Sequence, residues 1–120
     1  MDEAKLIVDA GAKYYFEGAN MPATNEALAY LQEHGVIVGP AKAANAGGVA
    51  VSALEMSQNS ERLSWTSEEV DAKLNTIMTS IHDESAKAAE KYGFGYDLIK
   101  GANIAGFVKV ADAMMSQGLF

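Results

Sequence analysis

The chain has 120 residues, of which 49% are hydrophobic and 21% are charged, the proportions of a single globular domain. This composition excludes a disordered acidic segment, a collagen-like chain and a coiled-coil rod. Nine basic and sixteen acidic side chains give a net charge of −7, which argues against nucleic acid as a partner because phosphate binding needs clustered lysine and arginine.

The first 40 residues alternate two helix signals with two short strand signals. They are a helix over residues 2–10, a strand over Tyr14–Phe16, a helix that begins after Thr24, and a strand over Val36–Val38. The Thr24 hydroxyl can cap the second helix, and Gly11 and Gly35 stand just past the two helix ends. This order is typical of a parallel α/β architecture. Because a stable sheet needs about three or more strands, two strands suggest that other strands are supplied from elsewhere.

The rest of the chain is predicted to be helical, so the fold class is α/β but mostly helical by content. An Ala- and Gly-rich helix runs through Asn45–Ser60. A longer helix over residues 65–92 opens with Thr66 and Glu69 at the spacing of a capping box. Its apolar stripe consists of Val70, Leu74, Ile77, Ile81, Ala88 and Tyr92. The last helix, about Gly101–Gln117, is predicted to turn five apolar residues inward: Ile104, Phe107, Val108, Ala111 and Met115.

The isolated titratable residues indicate no catalytic or metal site. His34 stands at a predicted helix C-terminus, where a partial positive charge is favourable. His82 lies beside acidic residues on a face predicted to be solvated, without a second histidine four residues away to share a metal ion. The absence of cysteine excludes disulfides and thiolate metal sites. No apolar run approaches the ~20 residues of a membrane span and no charged-then-apolar leader is present, which predicts a cytoplasmic chain.

Three short segments rich in glycine and alanine are candidate functional segments. Glu17–Pro22 (EGANMP) follows the first strand, and ligands of open α/β sheets bind at the carboxyl ends of strands, where small residues let the backbone approach a ligand. Lys42–Ser52 (KAANAGGVAVS) follows the second strand, and its asparagine can both donate to and accept from an amide. A glycine-rich helix start packed on the sheet explains the same composition. Lys100–Phe107 (KGANIAGF) predicts only a close-packed helix start.

Together these segments resemble the C-terminal part of bacterial-type hexameric glutamate dehydrogenases, within the Glu/Leu/Phe/Val dehydrogenase family. The similarity is carried by Glu17–Thr24, Pro40–Trp65, the acidic long helix and Lys100–Gly118, and it covers essentially the whole chain. It implies that residues 1–120 form one segment: the C-terminal part of a Rossmann-type dinucleotide domain, with about two short parallel strands, followed by helices that cross back over the active-site cleft. The implied reaction is reversible oxidative deamination of L-glutamate to 2-oxoglutarate and ammonium, with NAD or NADP as cofactor, in a homo-oligomer.

The resemblance also implies roles for individual residues. Asn20 is similar to the family's asparagine that contacts the cofactor near the nicotinamide ribose, and Asn45 to the one that holds the nicotinamide end. Val49 and Ser52, three residues apart on one predicted helix face, are similar to the substrate-pocket residues. Ser52 would bond the side-chain carboxylate of glutamate, and Val49 would pack on its methylenes. The implied cofactor-binding residues are Gly18, Ala19, Asn20 and Asn45.

Several family features are missing from these 120 residues. The family's catalytic lysine and aspartate, its substrate-carboxylate lysine and its glycine-rich phosphate motif all precede the matching part. Lys42 belongs to a different motif and is expected to be structural or solvated. The isolated chain is therefore expected to be inactive, and Met1 in mid-domain suggests a fragment or a truncated product. A cut parallel sheet exposes a strand edge and an apolar face, so the alternative is a non-catalytic, self-associating structural fragment.

Overall fold

A computed structural model describes residues 1–118 and contains eight elements along that length. In chain order they are α1 (Asp2–Asp9), β1 (Tyr14–Phe16), α2 (Asn25–Glu33), β2 (Ile37–Gly39), α3 (Ala41–Ala44), α4 (Ala46–Glu61), α5 (Ser67–Lys91) and α6 (Leu98–Gln117). The predicted class is confirmed: the fold is α/β, mostly helical, with two short strands. Within this described part, no helix is both long and apolar enough to cross a bilayer.

The two strands are parallel, as predicted, and the structure shows that they pair directly, with Phe16 opposite Gly39. The Glu17 N–H donates to the Gly39 carbonyl at 3.1 Å and extends the ladder beyond β1. β2 begins one residue later than predicted because Val36 belongs to the end of the preceding turn. Its N–H donates to the Leu31 carbonyl of α2 at 3.0 Å.

The core of the N-terminal half lies between the sheet and the helices α1 and α2. Its buried residues are Ala4, Ala27, Leu31, Val36 and Val38. Leu31 is the one large side chain in residues 1–118 that is essentially fully buried, at 1% exposure. The predicted helix ends are confirmed, since the Thr24 hydroxyl accepts the Ala27 N–H at 3.2 Å and Gly11 and Gly35 have φ values of 73° and 78°. Such left-handed glycines end helices without a steric penalty.

The helices α5 and α6 form the second packed unit. The predicted capping box is present at the start of α5, where the Thr66 hydroxyl accepts the Glu69 N–H at 3.2 Å and the Glu69 carboxylate accepts the Thr66 N–H at 2.7 Å. The two helices touch at Gly101, where an added Cβ would lie only 1.9 Å from the Ser85 carbonyl oxygen. The third glycine-rich segment is therefore a close-packed helix start, as predicted.

Asp97 joins α6 to α2. Its carboxylate accepts the Lys100 N–H at 3.0 Å and the Gln32 side-chain amide at 3.1 Å, and it pairs with the Lys100 ammonium at 3.0 Å. Burial of Asp97 opposes ionisation, but the hydrogen bonds from Lys100 and Gln32, together with the positive charge of Lys100, lower the pKa of Asp97 below its ordinary value. Because Asp97 caps the helix, α6 begins at Leu98, three residues before the predicted Gly101.

The inward face predicted for the last helix is partly wrong. Phe107 and Met115 are 71% and 82% exposed. α6 turns its Gly101 side toward α5, and Phe107 lies roughly 120° around the helix from Gly101. Every residue from Asp112 to Gln117 is exposed, so Met115 lies where α6 extends past its packing. Tyr92, predicted on the stripe of α5, is half-exposed at the C-cap of that helix. The predicted residues that are at least half-buried are Ile104, Val108 and Ala111.

Candidate functional site

The two polar segments that follow the strands meet at the carboxyl edge of the sheet. Asn20 lies in the loop after β1, and Asn45 lies between α3 and α4, beyond the end of β2. The Asn45 side-chain amide donates to the Asn20 side-chain carbonyl at 2.7 Å. The structure therefore brings together two predicted site asparagines from separate segments of the sequence. This edge is where open α/β sheets bind their ligands.

The asparagine pair retains unused hydrogen-bonding capacity. An asparagine side chain carries two N–H donors and a carbonyl with two lone pairs. Among the described residues, the only side-chain hydrogen bond of Asn20 or Asn45 is the one between them. The side-chain N–H donors of Asn20 and the side-chain carbonyl of Asn45 are thus available for a ligand. A carboxamide or a pair of hydroxyl groups needs this combination of donor and acceptor.

The loop that carries Asn20 has an uncommon backbone. Met21 has a φ of 50°, in the left-handed region that residues other than glycine rarely occupy. Its side chain is 87% exposed, so side-chain packing does not compensate for this conformation. Gly18 and Ala19 are exposed, and a Cβ added to Gly18 meets no atom within 4 Å. Internal packing therefore does not require a small residue there, and strained exposed loops of this kind cluster at ligand sites.

The predicted substrate residues extend from the asparagine pair along α4. Val49 and Ser52 follow Asn45 by four and seven residues, so the three residues share one helix face. Val49 is 70% exposed, and the Ser52 hydroxyl donates to the Gly48 carbonyl at 3.3 Å. At the rise of an α-helix, Ser52 lies about 10 Å along the axis from Asn45. The two residues line the surface next to the asparagine pair rather than joining it.

The glycines and the lysine of the Lys42–Ser52 segment have different surroundings in the structure. A Cβ added to Gly47 would lie 3.3 Å from the Met78 sulfur, so close packing accounts for Gly47, but against α5 rather than against the sheet. Gly48 faces open space, and packing does not account for it. The exposed Lys42 ammonium donates to the side-chain carbonyl of Asn103 on α6, which agrees with the structural or solvated role expected for this lysine.

Glu17, the first residue of the EGANMP segment, is a residue of this edge that is not among the predicted site residues. It is only 4% exposed. One carboxylate oxygen accepts the Ala41 N–H at 3.1 Å, and the other is buried without a partner in the described structure. The pKa of Tyr15 is raised, first by burial of its hydroxyl, then by the negative charge of Glu17 and by the approach of that hydroxyl to the Glu17 carboxylate, which falls short of a regular hydrogen bond. The available signal was the two-residue alternation of a strand, which puts Glu17 on the same side as Tyr15.

The histidines lie where the sequence placed them. His34 caps the C-terminus of α2, and its ring lies 2.8 Å from the Tyr30 carbonyl. His82 is exposed, with its two ring nitrogens 3.0 Å from the Asp83 carboxylate and 2.6 Å from the Tyr96 hydroxyl. Residues 1–118 contain no group of three acidic or histidine side chains that could hold a metal ion. A groove of about 660 Å³ between α5 and α6 includes Lys42 but neither asparagine.

Comparison with known proteins shows similarity along the whole described chain. The sequence profile of the glutamate/leucine/phenylalanine/valine dehydrogenase family matches residues 1–118. The chain is 64% identical over 120 residues to the NAD-specific glutamate dehydrogenase of Clostridium symbiosum, with 99% of the chain covered. It is 57% identical over 122 residues to the NADP-specific glutamate dehydrogenase of Psychrobacter sp. (strain TAD1), with 98% covered. It spans 27% of each of these relatives.

Solved structures show the same similarity in three dimensions. One glutamate dehydrogenase superposes with a TM-score of 0.90 at 63% identity, over 99% of this chain and 27% of that one. The glutamate dehydrogenase of Plasmodium falciparum superposes with a TM-score of 0.92 at 50% identity, over 99% of this chain and 26% of that one. The chain thus spans about a quarter of the length of the proteins it matches.

Proposed function

Because the chain belongs to the glutamate/leucine/phenylalanine/valine dehydrogenase family, we propose that it is the part of a glutamate dehydrogenase that contributes cofactor- and substrate-pocket residues. In this proposal residues 1–120, of which the structure describes 1–118, form the end of the dinucleotide domain and the helices that cross the cleft. The whole enzyme converts L-glutamate, water and NAD+ or NADP+ reversibly to 2-oxoglutarate, ammonium, NADH or NADPH and a proton. The 120-residue chain alone is expected to be inactive. Its cytoplasmic location stays a prediction.

The observation that carries this proposal is the Asn20–Asn45 hydrogen bond, which unites two separate sequence motifs at one sheet edge. When bound, NAD or NADP supplies the hydride acceptor of such a reaction. The residues at the edge fit this cofactor, because the free donors of Asn20 and the free carbonyl of Asn45 match the needs of a carboxamide and of ribose hydroxyls. Gly18 and Ala19 leave the loop backbone open to the same ligand.

The substrate proposal rests on Ser52 and Val49. A serine hydroxyl rotates freely, so the Ser52 hydroxyl can exchange its bond to the Gly48 carbonyl for one to a carboxylate. Val49 exposes its apolar side chain one turn earlier on the same face. This pairing suits a substrate with an acidic end and a short methylene chain, as glutamate and 2-oxoglutarate have.

Cofactor binding by the purified chain tests the proposal. We expect weak, saturable binding of NAD or NADP in calorimetry. Asn20→Ala and Asn45→Ala should each weaken it by about tenfold, the value of one lost hydrogen-bonded contact. The matched control is Asn75→Ala, an exposed asparagine on α5, which should leave binding unchanged. Absence of saturable binding at millimolar cofactor, or equal binding by all the variants, would contradict the proposed site.

A second candidate function is that of a self-associating structural module. The sheet has only two strands, so each strand has one neighbour among the described residues. Tyr14 and Phe16 of β1 are 61% and 64% exposed, and exposed apolar residues beside an open strand edge favour association. Light scattering should then give a mass that exceeds the 12.7 kDa of one chain and rises with concentration. A constant mass of one chain would contradict association.

A further inference from the structure

Glu17 is an unusual residue for a surface edge. Among the described residues, only two polar or charged side chains are buried, and Glu17 is the one that carries a charge. Removing a carboxylate from water is unfavourable unless hydrogen bonds compensate for it. One of its oxygens accepts the Ala41 N–H, whereas the other has no hydrogen bond of regular geometry, although the Tyr15 hydroxyl approaches the carboxylate. A buried carboxylate with incomplete bonding calls for an explanation beyond the stability of the fold.

The bonds of Glu17 connect the two segments that carry the asparagine pair. Its backbone N–H donates to the Gly39 carbonyl of β2, and its carboxylate accepts the N–H of Ala41, the first residue of α3. The carbonyl of the same Ala41 accepts the Asn45 N–H at 2.9 Å. Asn20 lies three residues after Glu17, in the loop that follows β1. One residue thus fixes the start of the Asn20 loop and, through the N–H and the carbonyl of Ala41, the backbone of Asn45.

We propose that Glu17 is a positioning residue for the asparagine pair: its buried carboxylate holds α3 against the loop after β1 and thereby sets Asn45 within hydrogen-bonding distance of Asn20. The proposal rests on the proposed function in so far as the pair binds cofactor. Glu17 does not itself contact a ligand, because its carboxylate is enclosed by the protein. A charged acceptor suits this role, since a hydrogen bond to a carboxylate is shorter and about twice as strong as one to a neutral group.

Nuclear magnetic resonance of the 120-residue chain, without cofactor, tests the positioning directly. In Glu17→Ala the Ala41 amide should exchange with solvent about tenfold faster or more, because a charge-assisted bond is lost. The nuclear Overhauser contacts between the Asn20 and Asn45 side chains should disappear. Glu17→Gln keeps one acceptor and should retain those contacts with intermediate protection of Ala41. Glu17→Asp keeps the charge but is one methylene shorter, so it should lose them. Glu90→Gln, an exposed glutamate on α5, is the matched control and should leave all these signals unchanged.

A purely structural role predicts a different pattern. If Glu17 only stabilised the fold, its replacement would lower the melting temperature but leave the side-chain contacts of Asn20 and Asn45 intact in every variant that folds. Intact contacts and unchanged Ala41 protection in Glu17→Asp would overturn the proposal, and so would the same result in Glu17→Ala. If Glu17→Ala does not fold, the comparison of Glu17→Gln with Glu17→Asp tests the proposal instead. Glu17→Gln replaces one carboxylate oxygen with an amide group, and Glu17→Asp removes one methylene. This measurement needs no cofactor, so a failure of the wild-type chain to bind NAD or NADP would overturn the proposed function alone.

Discussion

Replacing Leu31 with alanine is expected to unfold the N-terminal half of the chain at temperatures where the wild type is folded. Leu31 lies in the centre of the core formed by α1, α2 and the sheet, at 1% exposure. Truncation of a fully buried leucine costs about 2–5 kcal/mol, from lost burial and from the cavity that remains. The total stability of a domain is only about 5–15 kcal/mol, and a two-stranded sheet adds little stability of its own. Urea unfolding followed by circular dichroism measures the change.

The matched control for this substitution is Leu6→Ala. Leu6 is also a helical leucine of the same half, on α1, but it is 68% exposed. Its truncation should change the free energy of unfolding by about 0.5 kcal/mol or less. Equal effects of Leu6→Ala and Leu31→Ala would mean that the described core is wrong.

Adding one methyl group at Gly101 is expected to separate α5 from α6. The new Cβ would lie 1.9 Å from the carbonyl oxygen and 2.8 Å from the carbonyl carbon of Ser85, and neither backbone atom can rotate away. Overpacking of this kind costs about 1–3 kcal/mol and occasionally more, and a backbone clash belongs at the upper end. We therefore expect Gly101→Ala to lose about 3 kcal/mol, which is about 10 °C or more in melting temperature for a chain of this size.

Gly106→Ala separates this clash from the ordinary effect of alanine in a helix. Gly106 lies on the same helix, and a Cβ there meets no atom within 4 Å. Because alanine favours helix by about 0.8–1 kcal/mol over glycine, Gly106→Ala should raise the melting temperature. If Gly101→Ala also raised it, the close crossing of the two helices would be disproved.

The elements with local signals were predictable from the sequence. The capping box of Thr66 and Glu69 and the terminal glycines Gly11 and Gly35 act within one turn of chain, and the structure contains them all. The parallel direction of β1 and β2 is predicted by the helix between them, and the structure adds that they pair directly. The selection of Asn20 and Asn45 came from a family resemblance, and the structure adds that their side chains touch.

The features that the sequence did not reveal depend on contacts between distant segments. Glu17 is buried because the backbone of Ala41, 24 residues later, supplies a donor. Asp97 caps α6 while also binding Gln32, 65 residues earlier, so the helix begins before its apparent glycine-rich start. The inward orientation predicted for Phe107 is wrong because α6 carries apolar residues on several sides, and only the close approach at Gly101 fixes which side is covered.

The junction between the two packed units has a consequence for the order in which the chain folds. The core of the first unit comes from residues 4–38, and α5 and α6 follow one another directly, so each unit is closed by contacts that span fewer residues than the bonds between the units. The side-chain bonds from the preceding segments to the second unit, Gln32 to Asp97 and Lys42 to Asn103, bridge 65 and 61 residues. Contacts that are local in sequence form fastest, so the two units should form first and dock last. On a growing chain, β2 is complete some 60 residues before Ile99 arrives to pack against the core, and during that interval a chaperone or a second chain can reach the uncovered face.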